Sequence, residues 1–316
     1  CRHTRKSRHR PDGPLHECCC PWRDGYRLPV HKCCGTAPRR YTCWSARPCP
    51  ASEYTVSLYV QCRGSGPDLV LIHGWGLHGG IWDALLPALE GRYRVSCVDL
   101  PGHGRSEWQG QQTLDDWVAA VLATVPDRAV WLGWSLGGLV ATRAALRAPE
   151  RVDALVTMAS TPCFVRRPGW QSAMLPELLD TFSIELEQDY ARTRGRFLAL
   201  QVRGSEQASV VLAELRNILL ANGEPNAQAL ATGLAILRDT DLRETLRALR
   251  RRLLMIMGER DTLVPVNAGR ETLALSGDAQ LEVIDGAGHA PFLAAPERVA
   301  ERIDRFLGES VGTAVR

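Results

Sequence analysis

From residue 54 onward, short apolar runs alternate with longer stretches in which apolar residues recur every three to four positions. The short runs predict buried strands, and the longer stretches predict amphipathic helices. The predicted strands are 54–61, 69–73, 93–98, 129–133, 154–158, 253–257 and 280–284. The predicted helices between them are 81–89, 113–124 (with Thr113 as N-cap and Asp116 three residues on), 136–147, one from about Asn267, and 296–307. Apolar strands that alternate with helices predict an α/β protein with a mostly parallel sheet and helices on both faces.

The alternation is interrupted between residues 164 and 250, where no convincing strand pattern occurs. Helical stretches are predicted there at 174–181, 184–200, 209–220 and 226–237. One interpretation is a helical insertion that only adds packing. A lid is favoured, because the sites of α/β proteins lie at the C-terminal ends of the strands. The predicted parts are an extension (1–50), a core in two parts (51–162 and 251–309), a helical lid (163–250) and a tail (310–316).

The first 50 residues differ sharply in composition from the rest. They hold eight of the eleven cysteines, both lysines, and 11 basic against 3 acidic residues. The remainder holds 27 arginines, no lysine and 32 acidic residues. A metal-binding or disulfide-bonded module is one interpretation, but the cysteine runs 18–20 and 33–34 lack the C-x₂-C spacing of zinc sites. We expect a disordered or non-native extension, with a basic nucleic-acid-binding tail as the alternative.

The junction of the predicted strand 129–133 with the helix 136–147 reads Gly133-Trp134-Ser135-Leu136-Gly137. Strand, sharp turn and helix is the context in which G-x-S-x-G forms a nucleophile elbow, with glycines where a Cβ would clash. A glycine-rich turn with an incidental serine is the alternative for the pentapeptide alone. In an elbow, the amide after the serine lies at a helix N-terminus and faces a developing oxyanion. Ser135 is therefore the candidate nucleophile, and the N–H of Leu136 is a candidate oxyanion donor.

A serine nucleophile needs a base and an orienting acid, which follow it in the order Asp or Glu, then His, in an elbow fold. Beyond residue 50, His289 is the only histidine C-terminal to Ser135, and it follows the last predicted strand. An exposed loop histidine is the alternative. Glu259 and Asp285 compete with Asp261 as the acid. Asp261 is favoured because it lies deeper in its turn, whereas Asp285 is only four residues from His289.

The second oxyanion donor is expected in the loop after an earlier strand. His73-Gly74-Trp75-Gly76 follows the second predicted strand, and its glycines allow the backbone to approach a substrate closely. The N–H of Trp75 is the candidate donor, and its indole could form a wall of the acyl site. His73 is interpreted as structural, and the turn 99–106 as scaffold. The arginine run 250–252 is interpreted as a solvated helix end rather than a nucleic-acid patch.

Several function classes are disfavoured. The chain has no P-loop, no G-x-G-x-x-G and no paired C-x₂-C, so no nucleotide, metal or other cofactor is expected. It has no apolar run of about 18 residues and no apolar stretch of a secretory signal. The three cysteines beyond residue 50 are scattered, which is ordinary for a reduced cytosolic protein. We expect a cytoplasmic monomer without a nucleic-acid or membrane partner.

Taken together, these features resemble the α/β-hydrolase superfamily over roughly 54–308, and more closely the pimeloyl-[acyl-carrier protein] methyl ester esterase family. The matching segments are 73–77, 131–140, 159–164, 196–201 and 289–292. The first and last are shared by many hydrolases. Trp134 in the elbow and the segment 197–201 are more particular. A serine nucleophile disfavours the dehalogenase and epoxide-hydrolase branches of this architecture.

The resemblance implies a catalytic triad of Ser135, Asp261 and His289. The substrate contacts that it implies are Trp75, Ser135, Leu136, Phe197, Leu198, Ala199, Leu200, Gln201 and His289. The implied reaction is hydrolysis of pimeloyl-acyl-carrier protein methyl ester to methanol and pimeloyl-acyl-carrier protein, in biotin biosynthesis. A general short-chain carboxylesterase or a C–C bond hydrolase with the same triad is the alternative. A non-catalytic binding protein of this fold is disfavoured by the intact triad.

The resemblance also implies docking of the acyl carrier protein through arginines of the lid. Arg192 and Arg196 are the candidates, since they are spaced i,i+4 on one predicted helix face. The acidic, phosphopantetheine-bearing partner suits such a basic patch. The next lid helix departs from the expected basic pattern, and Arg203 or Arg216 could compensate. Solvated arginines without a docking role are the alternative.

Overall fold

Seven strands form one sheet within residues 58–309, the part of the chain that the computed structural model describes. They are β1 (Val60–Arg63), β2 (Asp68–Ile72), β3 (Arg94–Val98), β4 (Ala129–Trp134), β5 (Val152–Met158), β6 (Leu253–Gly258) and β7 (Ala279–Ile284). Their order across the sheet is β1-β3-β2-β4-β5-β6-β7. β1 pairs with β3 in the antiparallel sense, and all other neighbours are parallel. The predicted α/β class with a mostly parallel sheet is confirmed.

The extension 1–50, the tail 310–316 and positions 54–57 of the first predicted strand lie outside the described residues. The described strand β1 begins at Val60 and continues to Arg63, two residues beyond the predicted end. Arg63 lies opposite Val95 of β3 but is exposed. Because β1 lies at the edge of the sheet, an apolar residue is not required at position 63. The sequence at this end of the strand therefore resembles a turn.

Helices cover both faces of the sheet. Within residues 58–309 they are α1 (Leu86–Leu89), α2 (Leu114–Thr124), α3 (Leu136–Arg147), α4 (Pro176–Gln188), α5 (Tyr190–Gln201), α6 (Ala208–Ala221), α7 (Ala227–Asp239), α8 (Arg243–Leu246), α9 (Val266–Leu273), α10 (Pro291–Ala294) and α11 (Pro296–Gly308). Val70 and Ile72 of β2 pack into a cluster with α2 and α3, whereas Leu69 and Leu71 pack into a second cluster with α11. Successive side chains of a strand point to opposite faces, so β2 is buried on both. No helix in this part of the chain is both long and apolar enough to cross a membrane.

The predicted start of the second helix is confirmed in detail. The Thr113 side chain accepts a hydrogen bond from the N–H of Asp116 at 3.1 Å, and the Asp116 carboxylate accepts one from the N–H of Thr113 at 3.0 Å. This reciprocal capping box satisfies two backbone donors that a helix start otherwise leaves unpaired.

The predicted helix 81–89 is wrong. The structure has a 3₁₀ turn at Gly79–Trp82 and the separate short helix α1. Pro87 is the second residue of α1. Inside one continuous helix its ring would clash with the carbonyl four residues earlier, so the segment is divided.

The predicted division of the helical segment near residues 182–183 is also wrong. α4 continues to Gln188 because Phe182 is buried in the apolar core and extends the helical pattern. The boundary between the two helices lies instead at Asp189. Its carboxylate accepts a hydrogen bond from the N–H of Arg192 at 3.0 Å and caps α5. A run of polar residues at 187–189 hides this break in the sequence.

The arginine run 250–252 is not a solvated helix end, since α8 ends at Leu246. Arg251 donates a hydrogen bond to the carbonyl of Pro149 at 2.8 Å. The Arg252 guanidinium lies 4.3 Å from the ring centroid of Phe306. These two arginines are half-buried, whereas Arg250 is exposed.

Helices α4 to α8 lie in the chain between β5 and β6, with no strand in the described sheet arising from residues 164–250. Several hydrogen bonds join loops of the core to this helical segment, among them the following three. The Trp75 indole donates to the carbonyl of Leu230 in α7 at 2.8 Å, and the His78 imidazole donates to that of Ile218 in α6 at 2.7 Å. The N–H of His289 donates to the carbonyl of Gln201 in α5 at 2.9 Å. The helical segment is thereby attached at the C-terminal edge of the sheet.

Candidate active site

Ser135 lies in a sharp turn between β4 and α3, with φ 54° and ψ −118°. A Cβ on Gly133 would lie 2.1 Å from the carbonyl oxygen of Gly137. A Cβ on Gly137 would lie 2.3 Å from the carbonyl oxygen of Ile72. Both positions therefore require glycine, and the strained turn projects Ser135 from the edge of the sheet.

The side chains of Ser135, His289 and Asp261 form one hydrogen-bonded chain. His289 Nε2 lies 2.9 Å from Ser135 Oγ, and His289 Nδ1 lies 2.7 Å from Asp261 Oδ2. An ionised carboxylate only accepts hydrogen bonds, so Nδ1 carries the proton and the Nε2 lone pair faces the serine hydroxyl. All three residues are buried, with exposed fractions of 4%, 2% and 5% in that order. The arrangement can remove the hydroxyl proton of Ser135 during nucleophilic attack.

The acid and the base are held by backbone contacts. Asp261 Oδ1 accepts hydrogen bonds from the N–H groups of Leu263 at 2.8 Å and Val264 at 3.0 Å. The carbonyl of His289 accepts a hydrogen bond from the Trp134 indole at 2.7 Å. Trp134 directly precedes Ser135, so the same element that carries the serine also anchors the histidine. The sequence marked Trp134 only as a particular residue of the elbow and did not show this contact.

The competing carboxylates are directed elsewhere. Glu259 Oε2 accepts a hydrogen bond from the N–H of Gly286 at 2.8 Å. Asp285 is exposed and pairs with Arg298 at 2.8 Å. The structure therefore brings Asp261, rather than either competitor, to the imidazole.

The two candidate oxyanion donors belong to segments that adjoin Ser135. Leu136 is the first residue of α3, so its N–H has no acceptor within the helix. A Cβ on Gly74 would lie 3.3 Å from the Ser135 Cβ, which shows that the loop 73–76 lies directly against the elbow. Trp75 follows in that loop. The oxyanion role of both amides stays a prediction.

An apolar surface surrounds the Trp75 indole. The ring of Phe197 meets it edge to face at 4.6 Å between centroids. A Cβ on Gly233 of α7 would lie 2.7 Å from the indole and 3.3 Å from the Leu136 side chain. Sequence reasoning missed the contribution of α7, including Leu230 and Gly233. Its amphipathic pattern indicates a buried face but does not say which residue that face contacts.

The structure does not bring all of the predicted contact stretch 197–201 to this surface. Phe197 and Leu200 pack with the cluster that contains Trp75, whereas Leu198 packs with the cluster on the opposite face of the sheet. Ala199 is exposed on the face of α5 that carries Arg196. About 3.6 residues form each helical turn, so five consecutive residues cannot all face one site. Ala199 is therefore on the exposed face of α5, and Leu198 packs with the second cluster rather than with Trp75.

Two buried histidines near the elbow connect backbone turns. His73 donates through Nδ1 to the carbonyl of Gly74 at 2.7 Å and accepts at Nε2 from the N–H of Leu100 at 2.9 Å. His103 donates to the carbonyl of Pro101 at 2.9 Å. Burial lowers the pKa of His73 well below its usual value and lowers the pKa of His103 to about 4. Both are therefore neutral near pH 7, which fits the structural interpretation of this region.

The candidate docking arginines lie on the exposed face of α5. They border a groove together with Glu185, Gln188, Asp189 and Thr193. Arg196 forms an ion pair with Glu185, whereas Arg192 has no ion pair within residues 58–309. Arg203 and Arg216 are exposed as well. The groove therefore carries both signs of charge, with the guanidinium of Arg192 available to a partner.

Across the same described part of the chain, no group of three or more His, Cys, Asp or Glu residues is arranged to hold a metal ion.

Comparison with known proteins identifies the family of this chain. A family model described as alpha/beta hydrolase fold matches residues 67–296. The chain is 42% identical over 253 residues to a pimeloyl-[acyl-carrier protein] methyl ester esterase from Aliivibrio salmonicida, with 80% of this chain and 97% of that protein covered. The chain belongs to this family of α/β hydrolases. A further member, from Xanthomonas axonopodis pv. citri, is 45% identical over 250 residues, covering 79% and 98% of the two chains.

Solved structures give the same result for the fold. A hydrolase from Pseudomonas aeruginosa PA01 is 30% identical to this chain and superposes with a TM-score of 0.67, covering 79% of this chain and 94% of that one. The family resemblance and the fold inferred from the sequence are both confirmed.

Proposed function

We propose that the protein is a serine carboxylesterase that hydrolyses the methyl ester of a pimeloyl chain carried on an acyl carrier protein, in biotin biosynthesis. The chemistry rests on one observation, the hydrogen-bonded chain from Ser135 through His289 to Asp261. The substrate rests on the relatives that carry this activity in their names, at 42% and 45% identity over most of their length.

The first half of the reaction forms an acyl-enzyme. Ser135 Oγ attacks the ester carbonyl carbon while His289 Nε2 takes the hydroxyl proton. Asp261 holds the imidazole in the required tautomer and stabilises the imidazolium that forms. The N–H groups of Trp75 and Leu136 donate hydrogen bonds to the developing oxyanion. When the tetrahedral intermediate collapses, the methoxy oxygen takes the proton from His289 and leaves as methanol.

The second half regenerates the enzyme. His289 Nε2 takes a proton from a water molecule as the water oxygen attacks the acyl carbonyl carbon. The second tetrahedral intermediate uses the same oxyanion donors. Its collapse breaks the bond to Ser135 Oγ, which regains a proton from His289. The product is pimeloyl-acyl-carrier protein with a free carboxyl group.

The helical segment 163–250 acts in this proposal as a lid that supplies the acyl site. Phe197 and Leu200 provide apolar contacts beside Trp75. Gln201 is almost fully buried, and its side-chain oxygen has no hydrogen-bond partner within residues 58–309. An unpaired buried oxygen is costly, so a polar group of the substrate or a water is its expected partner. This apolar lining would favour an acyl chain over a polar substituent.

The carrier protein docks in this proposal on the exposed face of α5. Arg192 and Arg196 lie there on one side of the helix, and an acidic partner that carries a phosphodiester would meet them. Because Glu185 already pairs with Arg196, we expect Arg192 to contribute more to docking.

A genetic test uses the full chain. Expressed in a biotin-requiring strain that lacks its own esterase, it should restore growth without biotin, and the Ser135→Ala variant should not. Turnover of methyl pimeloyl-carrier protein should then be compared with that of short p-nitrophenyl esters and of a diketone substrate for C–C hydrolysis. Absence of rescue, together with preferred turnover of the short ester or the diketone, would replace the proposal with the corresponding alternative.

A further inference from the structure

Both peptide groups of Ser135 are hydrogen-bonded to the end of β5. The Ser135 N–H donates to the carbonyl of Met158 at 2.9 Å. The Ser135 carbonyl accepts from the Ser160 hydroxyl at 2.8 Å, and from the N–H of Gly138 at 2.9 Å. The nucleophile's backbone is thus held on both sides by residues that flank Ala159.

Ala159, which lies between the two contact residues, also has an unusual backbone conformation. Its φ is 43°, and within residues 58–309 only Ser135 shares a positive φ among non-glycine residues. The N–H of Ala159 donates to the carbonyl of Ile256 in β6 at 2.8 Å, and its side chain is fully buried. Backbone strain persists only where surrounding contacts enforce it. Here the two strained residues are connected through Met158 and Ser160.

Gly138 gives independent support. The nucleophile motif needs glycine at 133 and 137, but it does not explain a glycine at 138. A Cβ on Gly138 would lie 2.3 Å from Ser160 Oγ and 2.4 Å from Ser160 Cβ. Glycine at this position therefore allows the Ser160 hydroxyl, which is almost fully buried, to reach the carbonyl of Ser135.

We propose that Ser160 is a positioning residue for the nucleophile. Its hydrogen bond to the Ser135 carbonyl holds the strained backbone in the one orientation that directs Ser135 Oγ at His289 Nε2. Proton transfer needs a heavy-atom distance of about 2.6–3.2 Å, so a small backbone rotation at Ser135 would weaken it. The inference rests on the proposed function of Ser135 as the nucleophile, and it adds a residue that touches neither substrate nor imidazole.

The test compares Ser160→Ala with Thr161→Ala in the full chain. Thr161 is a matched control because it is also buried, and its hydroxyl bonds the carbonyl of Cys163 at 3.3 Å instead of that of Ser135. Two quantities are measured: kcat and KM on p-nitrophenyl butyrate, and the rate at which a fluorophosphonate labels Ser135, read from the modified peptide by mass spectrometry. Neither probe requires a carrier protein.

For Ser160→Ala we expect kcat and the labelling rate to fall together by about tenfold, which is about 1.4 kcal/mol in activation free energy. KM should change by less than about twofold, because the substrate contacts remain. Thr161→Ala should keep both rates near those of the wild type. Ser160→Cys should be intermediate, since a thiol is a weaker hydrogen-bond donor.

Wild-type rates in Ser160→Ala, equal losses in Thr161→Ala, or a change in KM alone would overturn the proposal. If circular dichroism shows Ser160→Ala to be unfolded, Ser160→Cys decides, and wild-type rates in that variant overturn the proposal. Failure of the fluorophosphonate to label wild-type Ser135 would instead remove the proposed nucleophile and this inference with it.

Discussion

Replacement of Asp261 by Asn should reverse the hydrogen bond that orients the catalytic imidazole. Asp261 Oδ1 accepts from two backbone N–H groups, those of Leu263 and Val264. In Asp261→Asn the amide oxygen must remain on those donors, which turns the amide NH₂ toward His289 Nδ1. The imidazole then has to accept at Nδ1 and carry its proton on Nε2. With a proton already on Nε2, it cannot take one from Ser135.

The size of the loss follows from this change of tautomer. When a buried aspartate of a serine triad is replaced by asparagine, kcat falls by about 10⁴-fold while the geometry is kept. We expect a loss of that order in Asp261→Asn on p-nitrophenyl butyrate at pH 7. This is about 5.5 kcal/mol of activation free energy. KM should change little, because Asp261 is buried behind the imidazole.

Two matched variants test the assignment of the acid. Glu259→Gln and Asp285→Asn remove the same charge from the competing positions, which contact Gly286 and Arg298 instead of the imidazole. Both should retain kcat within about threefold of the wild type. More than a tenth of wild-type kcat in Asp261→Asn would refute the reasoning. So would an equal loss in either matched variant.

Three further predictions concern stability and docking. Since burial lowers the pKa of His103 from 6.5 to about 4, the unfolded chain binds a proton between these pH values that the folded chain excludes. The free energy of unfolding should therefore decrease as pH falls from about 6.5 to about 4, by up to about 3 kcal/mol from this residue. In urea unfolding, the free energy of unfolding of His103→Gln should decrease less over this pH range than that of the wild type. Equal decreases in the two proteins would contradict this prediction. Gly137→Ala should lower the unfolding free energy by more than about 2 kcal/mol, because its Cβ would meet a backbone carbonyl. A Cβ at Gly195 in α5 would meet open space. Gly195→Ala should therefore raise the unfolding free energy by about 0.5–1 kcal/mol, which thermal denaturation would show. Arg192→Glu should raise KM for the carrier-bound ester at least about fivefold without changing kcat/KM on p-nitrophenyl butyrate. Arg128→Glu, which alters the arginine that pairs with Asp153 at the start of β5, is its control, and equal effects would argue against docking at α5.

The sequence could predict where the catalytic candidates lie because each follows a strand. Ser135 comes directly after β4, whereas Asp261 and His289 lie in the loops that follow β6 and β7. Neighbouring parallel strands end at the same edge of a sheet, so residues far apart in the chain meet there. The apolar pattern also fixes which faces of the strands are covered, since both faces of β2 are buried.

The rest depends on contacts that periodicity does not encode. The boundary between α4 and α5 is set by a single capping interaction at Asp189 within a polar run. The contact of α7 with Trp75 depends on how the helical segment packs over the core. A resemblance across residues 197–201 marks a contiguous stretch, whereas a helix presents only part of it to any one surface. The Ser160 hydroxyl donates a hydrogen bond to a backbone carbonyl, and no sequence pattern predicts such a contact.

The central claim is that Ser135 hydrolyses a carrier-bound methyl ester. It is tested most directly by incubating the full chain with methyl pimeloyl-carrier protein and following the intact mass of the carrier over time. The account predicts that the carrier loses the mass of one methylene as the ester becomes a free acid, with one methanol released for each, and that Ser135→Ala leaves the ester unchanged. An unchanged carrier mass with a wild-type enzyme that still hydrolyses p-nitrophenyl butyrate would contradict it.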